Sequence, residues 1–299
     1  MQLAQGAAGI TCQKLGEAEV MVQAGIRDIL VPYNILGAKK LNRLVLLAKR
    51  ARITLTVDSS VTISGLSPAA HENGVSIPVM VEVDTGLHRC GVETPQLAAE
   101  LAVLVDSSPG LQFAGLMTYP LNENTGPFVE EVRKLVEPKG LQVACVSVGG
   151  TRCMWDAHQH PEITEYRAGM YVYGDRSTVE LGAMTLEECS FSIRTTVVSR
   201  PSQERGILDA GSKSLSSDLL GLEGHGLILE YPEAQIYALS EEHGHVEFSQ
   251  CDSKPEIGEV VTILPNHCCV ANNLFNQVIG VRDGQVEVVW PVQARGAVL

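Results

Sequence analysis

Ser147-Val148-Gly149-Gly150-Thr151 places two glycines and a hydroxyl directly behind an apolar run. Glycines let backbone N–H groups come close to an anion and threonine adds a donor, so the stretch suits a phosphate. An ordinary turn also uses Gly-Gly, but a late position in a series of strands favours the ligand reading. Pro265-Asn266-His267-Cys268-Cys269 offers a second chemistry. If this segment is extended, His267 and Cys269 share one face and Cys268 takes the other, so imidazole and thiolate can hold one zinc-like ion. Two protein ligands leave positions open for water or substrate, which suits a catalytic ion. A buried cysteine pair beside a histidine is the plain structural alternative.

These groups need elements to position them. Short apolar runs at 10–12, 29–33, 55–58, 79–84, 113–119, 143–149 and 166–173 alternate with helical patterns such as 41–51 and 96–105. The second of these helices opens on Thr94-Pro95, an N-cap followed by a first-turn proline. Continuous apolar strands between helices predict a parallel sheet covered by helices, as in a (β/α) barrel or a doubly wound sheet. Seven strands are read where a closed barrel has eight. Reactive groups in such a barrel belong at strand C-terminal ends, which here carry Gln13-Lys14, Asp58-Ser59, Asp84 to Arg89, Tyr119, Gly149 to Thr151 and Tyr173. Helix capping is the preferred reading for Asp58 and Ser59.

After about residue 180 the texture changes to period-two segments, ending in a hairpin marked by Asp283-Gly284. Two domains are expected, an α/β barrel over 1–180 and a β-rich domain over 181–299. The second contains the polar clusters 209–218 and 240–245. Solvated loops are the preferred reading for Glu241 and His245, while for Lys213, Asp218 and His243 a functional role stays equally open.

A formal charge of −13, with no extended Lys/Arg cluster, argues against nucleic acid or an anionic membrane and for a small-molecule ligand. No apolar span of membrane length and no secretory pattern is present, so a cytoplasmic location is expected. The eight cysteines are then expected to be mostly reduced, small apolar fillers.

VEVDTGLHRCGV (81–92), VSVGGT (146–151), DAGSKSLSSDLLG (209–221), LSEEHGHV (239–246) and PNHCC (265–269) together resemble the D-threonine aldolase and D-serine dehydratase group of pyridoxal-phosphate enzymes, which has the alanine-racemase-like fold. The likeness runs from Met1 to the C-terminus. It implies a cofactor-holding (β/α) barrel followed by a β-rich domain, and a lyase acting on D-β-hydroxy-α-amino acids, expected as a homodimer. It also implies that Gly149, Gly150 and Thr151 hold the cofactor phosphate, with Tyr173 nearby. Arg89 and Tyr119 match positions beside the cofactor ring and substrate, and His267 and Cys269 match the pair that binds zinc or manganese. His-x-Cys resembles the dehydratase type and His-x-Asp the aldolases. Val270 stands where the family commonly has proline, and Asn272-Asn273 also differ, but neither change removes a ligand.

In the resembled family the Schiff-base lysine lies on the first barrel strand, in a stretch like His-x-Lys-Thr-His, ahead of a helix like Gln-Leu-Ala-x-Gly-Ala. The present sequence opens inside that helix, so that lysine and its strand are expected to be missing from it. Lys14 and Lys213 are poor substitutes, one standing a strand too late and the other in the second domain. The alternatives are an inactive homologue that binds cofactor phosphate or metal and, less favoured because of His-x-Cys, an amino-acid racemase.

Overall fold

Each apolar run of the first half contributes a strand in the computed structural model, which describes residues 1–299. These are β1 (Ile10–Thr11), β2 (Asp28–Val31), β3 (Arg52–Val57), β4 (Ile77–Glu82), β5 (Leu111–Met117), β6 (Cys145–Gly149) and β7 (Glu165–Arg167). They pair in chain order in one parallel, barrel-like sheet whose edges are β1 and β7. Helices α1 (Leu15–Gln23), α2 (Ala38–Ala48), α3 (Ser60–Glu72), α4 (Pro95–Ser107) and α5 (Thr125–Val136) connect the first six strands. The seventh run ends as a strand at Arg167 rather than at 173. Beyond it, Tyr173 and Gly174 donate their N–H groups back to Met170 O and close a turn.

Local sequence explains the helix starts. Thr94 accepts from the Leu97 N–H at 3.3 Å ahead of Pro95, and Ser59 accepts from the Thr62 N–H at 3.4 Å. Asp58 instead accepts from the Gly91 N–H at 3.2 Å, so it ties two strand-end loops together and does not cap.

The strands are two-faced despite their apolar look. Ile29, Ile53, Leu55, Val79, Val81, Leu116, Val146 and Val148 pack among the helices. On the alternate positions lie Leu30, Met80 and Met117, and with them Thr54, Thr56, Glu82 and Ser147, all buried.

Contacts divide the chain at 168/169, not near 180: one unit is Met1–Ala168 with Ala297–Leu299, the other Gly169–Gly296. The stretch 169–180 is stitched into the second unit, because the Arg176 N–H donates to Pro265 O and Asp175 accepts from the Cys268 N–H at 2.8 Å. That unit contains α6 (Arg176–Glu180), β8 (Ile193–Ser199), β9 (Arg205–Leu208), α7 (Ser212–Leu215), β10 (Leu227–Ile228), β11 (Gln235–Leu239), β12 (Gly244–Glu247), β13 (Val260–Leu264) and α8 (Cys268–Leu274). Its antiparallel sheet runs β10-β13-β8-β9-β12-β11, and β14 (Gln277–Arg282) with β15 (Gln285–Pro291) forms a separate hairpin. Asp283 and Gly284 take positive φ at its turn, as the hairpin signal predicts.

The chain's last residues return to the first unit, where the Gly16 N–H donates to Leu299 O at 3.2 Å. A Cβ on Gly16 would stand 2.8 Å from Ala297 O, so this approach requires glycine. No helix is long and apolar enough to cross a membrane.

Candidate functional site

The Gly149-Gly150-Thr151 stretch forms the end of β6 and the turn after it. Gly150 has φ 115° and Thr151 is buried at the first position of a short 3₁₀ turn that has no capping side chain. Uncapped N–H groups at such a start favour an anion, so the local structure fits a phosphate. One detail differs from the expectation of converging glycine donors: the Gly150 N–H is already given to Arg167 O at 3.2 Å. The donors left for an anion are those of Thr151 and the turn.

Behind this cradle lies a polar network that the sequence reading missed. Arg167 on β7 donates to Ser147 Oγ and, at 3.0 Å, to Thr118 O, while the Ser147 hydroxyl donates to Glu165. A Cβ on Gly149 would come within 2.9 Å of Arg167 O and 3.4 Å of its guanidinium, so the glycine makes room for the arginine. Burial pulls the Arg167 guanidinium down to about 10, against the opposing pull of Glu165 and Glu82. On β4, Glu82 accepts from Thr56 Oγ1 at 3.2 Å, and burial raises its carboxyl above the ordinary range. The available clue was the alternation of Arg52, Thr54 and Thr56 on β3 and of Glu165 and Arg167 on β7, with the single polar residues Glu82 on β4 and Ser147 on β6.

Arg89 and Tyr119 are brought together: the guanidinium carbon lies 5.0 Å from the tyrosine ring centre. Tyr119 is 40% exposed at the end of β5, and Arg89 is exposed in the loop after β4. In the same loop Asp84, His88 and Glu93 present ligand atoms within 4.8 Å of one another. Asp84 Oδ1 there accepts the Gly86 and His88 N–H groups and so shapes a turn. Lys14 Nζ rests 3.7 Å from the Tyr33 ring centre, a cation–π contact.

In the second unit, Pro265 to Cys269 is not one extended segment. His267 is extended, but Cys268 and Cys269 already belong to α8, so the alternating-face argument fails. The two side chains meet nonetheless, through the helix's first turn. The imidazole is raised to about 9 by its hydrogen bond with the Cys269 sulfur and by Asp218, whose carboxylate lies 2.6 Å from Nδ1. The Cys269 thiol is lowered to about 5, by the Cys268 hydrogen bond first and then by His267. An imidazole beside a thiolate is a donor set that suits zinc-like ions. Cys268 is buried, as a filler should be.

Tyr173 lies in the second unit, its ring 5.1 Å from that of Phe191 and half-buried. Lys213 pairs with Glu242 at the surface, and His243 is exposed in the turn before β12. His245, expected in a loop, lies on β12 with Nε2 3.1 Å from Ser240 Oγ. That strand was hidden because Val246 is its one large apolar residue.

A parallel barrel-like unit with an anion cradle behind its sixth strand, joined to an antiparallel unit, defines a protein of the alanine-racemase fold. Residues 1–177 match the family described as "Alanine racemase, N-terminal domain", and the chain belongs to it. Residues 190–281 match the "Putative serine dehydratase domain". More particularly, the chain is 34% identical over 311 residues to the D-threonine aldolase of Arthrobacter sp, covering 99% of this chain and 81% of that protein. The crystal structure of D-threonine aldolase from Filomicrobium marinum superposes with a TM-score of 0.89 at 31% identity, covering 100% of this chain and 85% of the other. D-threo-3-hydroxyaspartate dehydratase from Delftia sp. HT23 gives 0.84 at 26% identity, covering 97% and 85%.

Proposed function

We propose that the protein is a pyridoxal-phosphate- and divalent-metal-dependent lyase acting on D-β-hydroxy-α-amino acids. In this reading it works in the cytoplasm as a homodimer, with zinc or manganese as the ion. The observation that carries it is the imidazole–thiol pair at His267 and Cys269, in a chain that also has an anion cradle at Gly150-Thr151.

Bound pyridoxal phosphate supplies an electron sink at Cα, and the ion polarises the β-hydroxyl. The residues of this chain position the groups around that chemistry. Thr151 and its turn take the phosphate, with Gly149 and Gly150 shaping the turn. Arg167 fixes the ends of β5 and β6 through Thr118 O and Ser147 Oγ. Arg89, stacked on Tyr119, presents a cation at the mouth of the barrel for a substrate carboxylate. His267 and Cys269 hold the ion.

Relatives of both reaction types are similar to this chain, and Cys269 favours elimination over aldol cleavage. The test is to incubate the full chain with pyridoxal phosphate, zinc or manganese, and D-threonine, D-serine or D-3-hydroxyaspartate. Keto acid and ammonia report elimination; glycine and an aldehyde report cleavage. Cys269→Asp is expected to move the product ratio toward glycine. Neither product from any substrate would refute lyase activity of this chain and favour instead the inactive homologue that binds cofactor phosphate or metal.

A further inference from the structure

We infer that Asp218 is the positioning residue of the metal pair: it holds His267 by Nδ1 and leaves Nε2 as the atom that takes the ion. This rests on the reading of His267 and Cys269 as metal ligands and goes beyond it. Asp218 Oδ2 lies 2.6 Å from His267 Nδ1. A neutral imidazole that donates its Nδ1 proton has its lone pair on Nε2, so this contact selects both the tautomer and the ring direction.

The carboxylate is itself immobilised. Its other oxygen accepts the Leu220 N–H at 3.3 Å, and the Asp218 N–H donates to Ser216 Oγ at 3.2 Å. The residue before His267 secures the same arrangement, because the buried Asn266 amide donates to Gly224 O at 2.8 Å. Asp218 lies 49 residues before His267 in sequence, so two separate segments are built to meet at this one nitrogen. An imidazole already turned by a fixed acceptor loses less freedom when the ion arrives, and that is the source of the affinity.

The test uses the full chain stripped of metal, titrated with zinc against a chromophoric chelator and with cobalt(II) for its thiolate charge-transfer band. Asp218→Ala is expected to weaken zinc binding about 10–100-fold. The cobalt–thiolate band from Cys269 should survive at saturation and the melting temperature should stay near that of the parent. Asp218→Glu, which restores an acceptor, should recover most of the loss. Zinc binding by Asp218→Ala equal to the parent's, while His267→Ala and Cys269→Ala lose the ion, would overturn this inference alone. Unchanged stoichiometry in those two variants would overturn the metal reading beneath it. Should Asp218→Ala not fold, Asp218→Asn decides by the same criterion.

Discussion

The guanidinium of Arg89 is stacked on the ring of Tyr119, 5.0 Å from its centre, across the ends of two adjacent strands. A cation–π contact at an exposed site contributes about 0.5–1 kcal/mol, which orients the arginine without neutralising it. Arg89→Ala should therefore lower kcat/KM by about 10–100-fold, the loss of one charge-assisted hydrogen bond of about 1.5–3 kcal/mol. The melting temperature should barely move, since both residues are exposed. Tyr119→Phe keeps the stacking face and Tyr119→Ala removes it, so steady-state kinetics on the pair separates ring from hydroxyl.

In the proposed reading the turn after β6 takes the cofactor's phosphate. Thr151→Ala removes one buried donor at the start of the turn. Binding of pyridoxal phosphate, followed by fluorescence, should weaken about tenfold, in line with one hydrogen bond to a charged group. Binding of pyridoxal without its phosphate should be unaffected. Equal losses for both ligands would place the phosphate elsewhere.

The metal-free protein should show its thiolate directly. Cys269 is exposed and lowered to about 5, so it is deprotonated across the neutral range, whereas burial pushes the exposed Cys90 thiol above its ordinary value. Alkylation by iodoacetamide, read by peptide mass spectrometry, should inflect near pH 5 at Cys269 and well above neutrality at Cys90. His267→Ala removes one of the groups that lower the thiol, and the Cys269 inflection should shift upward. Coincident profiles for the two cysteines would contradict the pairing.

Asp175 is fully buried and accepts from Ser177 Oγ at 2.7 Å, the Thr178 N–H at 2.9 Å and the Cys268 N–H at 2.8 Å. Asp175→Ala leaves these donors unpaired at about 1–3 kcal/mol each. Thermal unfolding should fall by roughly 10 °C or more, and zinc binding should weaken with it because α8 carries Cys269. Asp175→Asn retains one acceptor oxygen and should show a smaller drop.

Sequence patterns revealed the parallel strands because residues such as Ile53, Leu55 and Val79 are apolar over continuous runs, and revealed α4 because Thr94-Pro95 is a strong start. Short β12 escaped because Val246 alone carries its apolar signal between polar neighbours. The proposed metal pair was suggested by residue type and not by geometry, since His267 and Cys269 meet across a helix start rather than along a strand. Beyond the alternation along β7, Arg167 carried no signal in the sequence, and for Asp218 a functional role and a solvated loop stayed equally open. Their partners are Thr118, Ser147 and His267, distant in sequence, and no local spacing encodes such contacts.

The return of Ala297–Leu299 to the first unit makes the antiparallel unit an insertion, tethered by two covalent crossings. A protease that cuts near residue 168 alone leaves two fragments with no covalent bond between them, held by the docking of Ala297–Leu299 on the first unit. A purification tag fused behind Leu299 begins beside Gly16 on α1, so it tests the tolerance of the barrel-like unit and leaves the antiparallel unit to itself.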